Sequence, residues 1–294
     1  MEEYTEAFVQ AARGNAHWVW QSITFQVPWY TNYFWGLIAI SLVVWGLELA
    51  FPWRKEQGAF RKDFWLDGFY MFFNFFIFSI AISGFYALIE SGSAVFGISM
   101  DSLTVIDLSS LPDWAQLLVF FVVLDFVQWL THIALHRWSV LWQFHKVHHS
   151  VEQMGFAAHL RYHWMENILY KPLKTLGIMI LGGFEPSQAW IVHFIAIAIG
   201  HLNHANVKIT WGLFKYIFNN PVMHLWHHAM YLPGDRPKGV NYGISLSLWD
   251  YLFKTNYIPE DSGTIVLGFN GLEDFPKDFW HQIVYGFRKQ KKTG

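Results

Sequence analysis

Two stretches of this sequence repeat one histidine spacing: His145, His148 and His149 in FHKVHH, and His224, His227 and His228 in MHLWHH. A third, THIALHRW, sets His132 and His136 four residues apart. On a helix, residues i, i+3 and i+4 share a face, so each stretch can aim two or three imidazoles at one point. Neutral imidazole is a good ligand for zinc, iron, copper and nickel. The eight rings exceed the four ligands of a closed zinc site, which implies two metals. Thirteen of the 15 histidines lie between His132 and His228, where an even scatter would leave about five. A lone histidine on a helix is usually packed or solvated, and His17 and His281 are read that way. His193 lies in an apolar stretch outside any such group.

Rings this far apart in sequence need long elements to bring them together. Hydrophobic residues make up 53% and charged residues 14%, against roughly 25% charged in a typical soluble domain. With 28 Phe and 17 Trp, a soluble chain of 294 residues would need a very large core. Aromatic enrichment suits a water–lipid interface. Three segments, roughly Tyr33–Phe51, Trp65–Glu90 and Trp114–His136, approach the ~20 apolar residues that cross a bilayer. A fourth apolar region, Leu173–His204, is broken by Gly182, Gly183 and Pro186. Its first half, about 10 to 14 residues, suits a hairpin that enters and leaves on one side. The expected fold is all-α: an integral-membrane helical bundle of about three spans plus a re-entrant helical hairpin, with a cytosolic histidine-rich cap.

Basic residues orient the spans. Arg54, Lys55, Arg61 and Lys62 separate the first two, no Lys or Arg occurs from Ser91 to Asp113, and Arg288, Lys289, Lys291 and Lys292 end the chain. With the N-terminus outside, all but Arg13 fall on the cytoplasmic side or at its rim, as the positive-inside tendency requires. A helix over Trp114–His136 is ~34 Å long, just enough to bring His132 and His136 to the cytoplasmic interface. Trp129, Trp138, Trp142 and Trp164 read as an anchoring belt at that level. Asp125 lies mid-span and seven residues before His132, on the same face. Its burial costs about 2.5–3.5 kcal/mol, and a bond to a liganding histidine is the expected compensation. Glu166, Asp235 and Asp250 are further candidates for holding rings in place, and Asn241–Gly243 for a turn.

Composition also excludes. A net charge of −2 gives no case for nucleic acid, and the absence of cysteine removes disulfides, cysteine-bound iron–sulfur clusters and Cys-type zinc sites. The acidic start (Glu2, Glu3, Glu6) is unlike a cleaved signal peptide. The final KKTG matches a dilysine retrieval pattern, which leaves the endoplasmic reticulum and a bacterial inner membrane equally open. No GxGxxG follows a predicted strand and no haem-binding HPGG occurs, so electrons are expected from a separate redox protein. Lys208, Lys215, Arg236 and Lys238 could contribute to its docking face.

The segments DFVQWLTHIALHRWSVLWQFHKVHHS (Asp125–Ser150), LRYHWMEN (Leu160–Asn167), HLNHANV (His201–Val207), PVMHLWHH (Pro221–His228) and NYGISLSLWDYLFKT (Asn241–Thr255) together resemble the sterol desaturase and fatty acid hydroxylase superfamily. The resemblance is detailed over Asp125–Thr255 and covers the preceding spans in outline. It implies residues 1–113 as membrane spans and loops, 114–260 as a fatty acid hydroxylase-like catalytic domain, and 261–294 as a cytosolic tail. It further implies two iron ions, dioxygen as co-substrate and hydroxylation or desaturation of a lipid C–H bond, sterol-like or another long-chain lipid. The ligands it implies are His132, His136, His145, His148, His149, His224, His227 and His228, with His201 and His204 as a completing pair and His163 as a further candidate. Departures from the family pattern are Ile133 after the first box histidine, Trp164 for a common proline, a longer Asp235–Asn241 link, and Lys254 where glycine is common. The residues themselves do not choose iron over zinc, so a membrane zinc hydrolase stays open. So does a metal transporter, although transporters place ligands within paired broken spans at mid-bilayer whereas these boxes flank the spans.

Overall fold

A computed structural model describes residues 2–97, 104–184, 186–259 and 265–288. The 260/261 boundary and the tail carrying Lys289, Lys291, Lys292 and KKTG lie outside them. The fold is helical, with a single two-residue parallel strand pair, β1 (Ile106–Asp107) and β2 (Leu181–Gly182), among the described residues.

Three helical stretches are long and apolar enough to cross a membrane: Tyr33–Ala50, Phe64–Val95 and Asp113–Arg137. The first is α2, started by Asn32, whose side chain accepts from the Trp35 backbone N–H while its own amide reaches the Ser22 carbonyl at 2.9 Å. The second runs as α3 (Phe64–Phe72), a π-turn (Phe73–Ile77) and α4 (Phe78–Val95), so it extends past the Glu90 expected from composition. The third is α5 (Asp113–Arg137). An amphipathic helix that hydropathy did not single out, α1 (Glu2–Ile23), lies antiparallel along α4. The Phe8 and Phe85 rings meet edge to face, and Ser79 and Ser83 donate to Asn15 and to the Ala11 carbonyl.

The cap begins where α5 breaks. Trp138 adopts an extended conformation (φ −93°, ψ 116°), and α6 (Ser139–His149) starts at the next residue. This corner folds the FHKVHH rings back against the THIALH rings. The apolar hairpin consists of α7 (Trp164–Ile180) and α8 (Pro186–His204). Its first arm is a helix of 17 residues, longer than its apolar part, because helix continues through the polar turns of Glu166, Asn167 and Lys171. Then come α9 (Pro221–His227), with Pro221 in its first turn and Asn220 capping, and the short α10 (Leu248–Leu252) and α11 (Phe279–Gln282).

The α2–α3 loop is clamped to the cap. Buried Glu48, near the end of α2, accepts from the backbone N–H groups of Phe156 and Asn206 at 2.7 and 2.9 Å. Fully buried Arg161 donates to Asp63, Asp67 and Ser150, and Asp67 also pairs with Arg61. The basic loop and the histidine cap therefore share one face of the bundle. Paired in this way, the buried charges escape the several kcal/mol per ion that isolation would cost.

Candidate metal centre

Nine histidines converge in two groups. In the first, His132, His136, His145, His149 and His227 each offer a ring nitrogen lying within 4.8 Å of the others. In the second, His148, His204, His224 and His228 do the same. The i, i+3, i+4 spacing of α6 divides its rings between the groups, since His145 and His149 face α5 while His148 faces α8.

Backbone carbonyls fix the tautomers. A carbonyl only accepts, so a ring nitrogen bonded to one must carry the proton. His132 Nδ1 donates to Tyr242 O (2.7 Å), His148 Nδ1 to Arg161 O (3.1 Å), His204 Nδ1 to Gly200 O (2.8 Å) and His227 Nδ1 to Val240 O (2.8 Å). The Nε2 atoms of these neutral rings then hold lone pairs. His148 Nε2 and His204 Nε2 face each other at 3.3 Å, and buried His227 Nε2 has no hydrogen-bond partner. Two lone pairs at that distance repel unless a cation sits between them, so the donor set fits metal ions. Burial holds His145, His149, His224, His227 and His228 neutral far below their usual range, reinforced by neighbouring rings, and pushes His148 down to about 3. Neutral rings are the ligating form.

Acidic residues support the rings indirectly. Glu166 Oε2 lies 3.1 Å from His145 Nδ1, both side chains being buried. Asp250 accepts from Trp129 Nε1, the Tyr242 and Gly243 backbone N–H groups and Thr255 Oγ1. It thereby holds the Asn241–Gly243 turn, in which Asn241 takes a left-handed φ of 53° and Tyr242 presents its carbonyl to His132.

Several expectations are corrected here. Asp125 bonds to no histidine among the described residues. It accepts instead from the Ser245 and Leu246 backbone N–H groups and from Trp249 Nε1, pinning α5 to α10 and the segment that leads into it. Three donors offset its burial better than one ring would. Asp235 is exposed beside Arg236. His201 lies apart from both groups, its Nδ1 at 2.9 Å from His159 Nδ1 and its Nε2 at 3.2 Å from Ser41 Oγ. His163 caps α7 by accepting from the Met165 N–H, and its Nε2 meets the Ile283 carbonyl at 2.7 Å. Of the four expected belt tryptophans only Trp138 is exposed. Trp129 is buried on Asp250, Trp142 lies against His136 and His149, and Trp164 donates to Ile283 O. Sequence reasoning missed His159, which lines the cavity beside the rings; its four-residue spacing to His163, the same as that of His132 and His136, was the signal that could have marked it. Gly200 makes room for it, because a Cβ there would lie 2.2 Å from the His159 ring.

Beneath the rings a cavity of about 550 Å³ opens between α7 and α8. His132, His145, His148 and His204 form its upper end, and Trp18, Phe75 and Trp190 are among the residues of its apolar wall.

Comparison with known proteins fits this arrangement. The fatty acid hydroxylase family matches residues 117–255. The chain is 31% identical to ornithine lipid hydroxylase OlsE of Rhizobium tropici over 178 residues, 60% of this chain and 52% of that protein. It is 26% identical to an alkylglycerol monooxygenase of Caenorhabditis elegans over 53% of this chain and 29% of that one. It is 30% identical to methylsterol monooxygenase erg25B of Aspergillus fumigatus over 49% of each. The chain thus spans about half the length, or less, of these relatives. No solved structure matches it.

Proposed function

Through residues 117–255 this chain belongs to the sterol desaturase and fatty acid hydroxylase superfamily, and from that premise we propose that it is a membrane-bound di-iron oxygenase that hydroxylates or desaturates a lipid. The observation that carries the reading is the facing pair of proton-free nitrogens on His148 and His204, backed by the second convergence around His227. Bound iron would supply dioxygen activation: in hydroxylation one oxygen atom enters a C–H bond and the other leaves as water, with two electrons and two protons from a separate carrier. Zinc lacks the redox states this needs.

The chain's own residues divide the remaining work. His132, His136, His145, His149 and His227 would hold one ion, and His148, His204, His224 and His228 the other. Tyr242, Val240, Arg161 and Gly200 carbonyls orient the rings, and Glu166 raises the basicity of His145. The apolar walls admit the lipid and keep bulk water from the reacting carbon. The shared position of the basic α2–α3 loop and the cap supports a cytoplasmic site, where an electron carrier can reach it.

Lipid profiles of cells with the protein, without it, and with His148→Ala test the reading. A hydroxylated or desaturated lipid that needs both oxygen and His148 is expected. Two zinc ions supporting a hydrolytic activity without oxygen uptake would replace it with a hydrolase.

A further inference from the structure

The cavity wall is not uniformly apolar. Lys171 and Lys174, both on α7, line it below the rings, with Gln128 of α5 opposite. Lys174 Nζ donates to Gln128 Oε1 at 2.7 Å and lies 5.5 Å from the centre of the Tyr170 ring. Neither contact carries a full negative charge. Among the described residues, no carboxylate is within ion-pair distance of either lysine. Asp125, one turn from Gln128 on α5, attracts Lys174 through space, but its two oxygens are taken by three neutral donors from residues 245–249 and it makes no ion pair with either lysine. Glu166, one turn from Tyr170, is turned to His145. From α8, His193 faces the cavity and is engaged with the Tyr33 hydroxyl. Two ammonium groups on the wall of a largely apolar cavity, with no directly paired carboxylate, are costly and point to a ligand that supplies one.

We infer that the substrate is an amphiphile whose anionic group, a carboxylate or phosphate, is held by Lys171 and Lys174, with the reacting carbon close to that group. This deepens the oxygenase reading and rests on it for the reacting carbon alone. The placement follows from helix geometry. Gln128 precedes His132 by four residues, about one turn or 6 Å along α5, so an anion at Lys174 sits one or two turns from the imidazole clusters. A chain anchored there presents its first several carbons to the rings, while its far end lies along Trp18, Phe75 and Trp190. Lipids with only a neutral polar end lack the group these lysines match.

The test is displacement of the fluorescent C18 polyene cis-parinaric acid from the purified, metal-loaded protein in a neutral detergent. Hexadecanoic acid, hexadecyl phosphate and hexadecanol serve as competitors. At least one of the two anions should compete at about tenfold lower concentration than the alcohol, as one charged hydrogen bond supplies. The better anion names the source. The double variant Lys171→Met, Lys174→Met should erase the preference at unchanged metal content, and Lys174→Arg should keep it. If hexadecanol competes as well as both anions on the unaltered protein, the inference is overturned, whether or not the double variant folds. It is equally overturned if a folded double variant keeps the preference. The assay needs neither oxygen nor reductant, so its outcome is separate from that of the oxygenase reading.

Discussion

The two histidine groups are built from different parts of the fold. The group of five takes His132 and His136 from the end of a membrane-spanning helix, and its rings are oriented by Glu166 and by the turn that Asp250 holds. The group of four takes His204 from the end of the hairpin, and its orientation comes from the Arg161 and Gly200 carbonyls. One group thus has a carboxylate behind it and the other only neutral carbonyls. Two ions held this way would differ in electron density and in what loosens them, so the halves should be separable by mutation.

The largest expected effect comes from removing a ring. His227→Ala or His228→Ala should lower product formation by more than the roughly 100-fold typical of losing an outer partner, with one ion lost in each case. Equal loss of both ions in both variants would collapse the comparison into a single site. Next is Arg161→Met, which leaves Asp63 without its partner and Asp67 with Arg61 alone, and should destabilise the protein by about 1–3 kcal/mol, read as a lowered thermal midpoint with metal lost first from the group of four. Glu166→Gln should then lower metal affinity about 10- to 100-fold in the group of five alone, leaving the other ion in place.

Acid should act on the metal-free protein more gradually. His148 is held neutral down to about 3 when folded, while an exposed histidine protonates near 6.5. Between those values the unfolded chain binds the extra proton, so stability rises with pH and falls as pH drops below about 6.5. A thermal midpoint of the metal-free protein flat from pH 7 to pH 4 would contradict this. The smallest effect concerns the backbone just past the end of α10. Lys254 holds a left-handed φ of 58°, which costs a side-chain-bearing residue roughly 1 kcal/mol. Lys254→Gly should raise the thermal midpoint slightly without changing metal content.

Much of this was legible in the sequence because periodicity carries it. The i, i+3, i+4 histidines name the rings, and the apolar runs name the three long helices to within a few residues at most ends. The carbonyls of Tyr242, Val240 and Arg161 left no trace, since a backbone acceptor can belong to any residue type. Asp125 was misread for a related reason: helical phase placed it on the face of His132 but said nothing of the Ser245–Trp249 segment that reaches it first. Helix α1 escaped hydropathy because its apolar face is matched to α4 rather than to lipid. The glycine expected at position 254 by family likeness has its explanation in the left-handed backbone there.

Metal analysis of the purified protein beside His227→Ala and His228→Ala bears most directly on the convergence of distant imidazoles. Two iron ions per chain are predicted, falling toward one in each variant. A stoichiometry that neither substitution changes would contradict it.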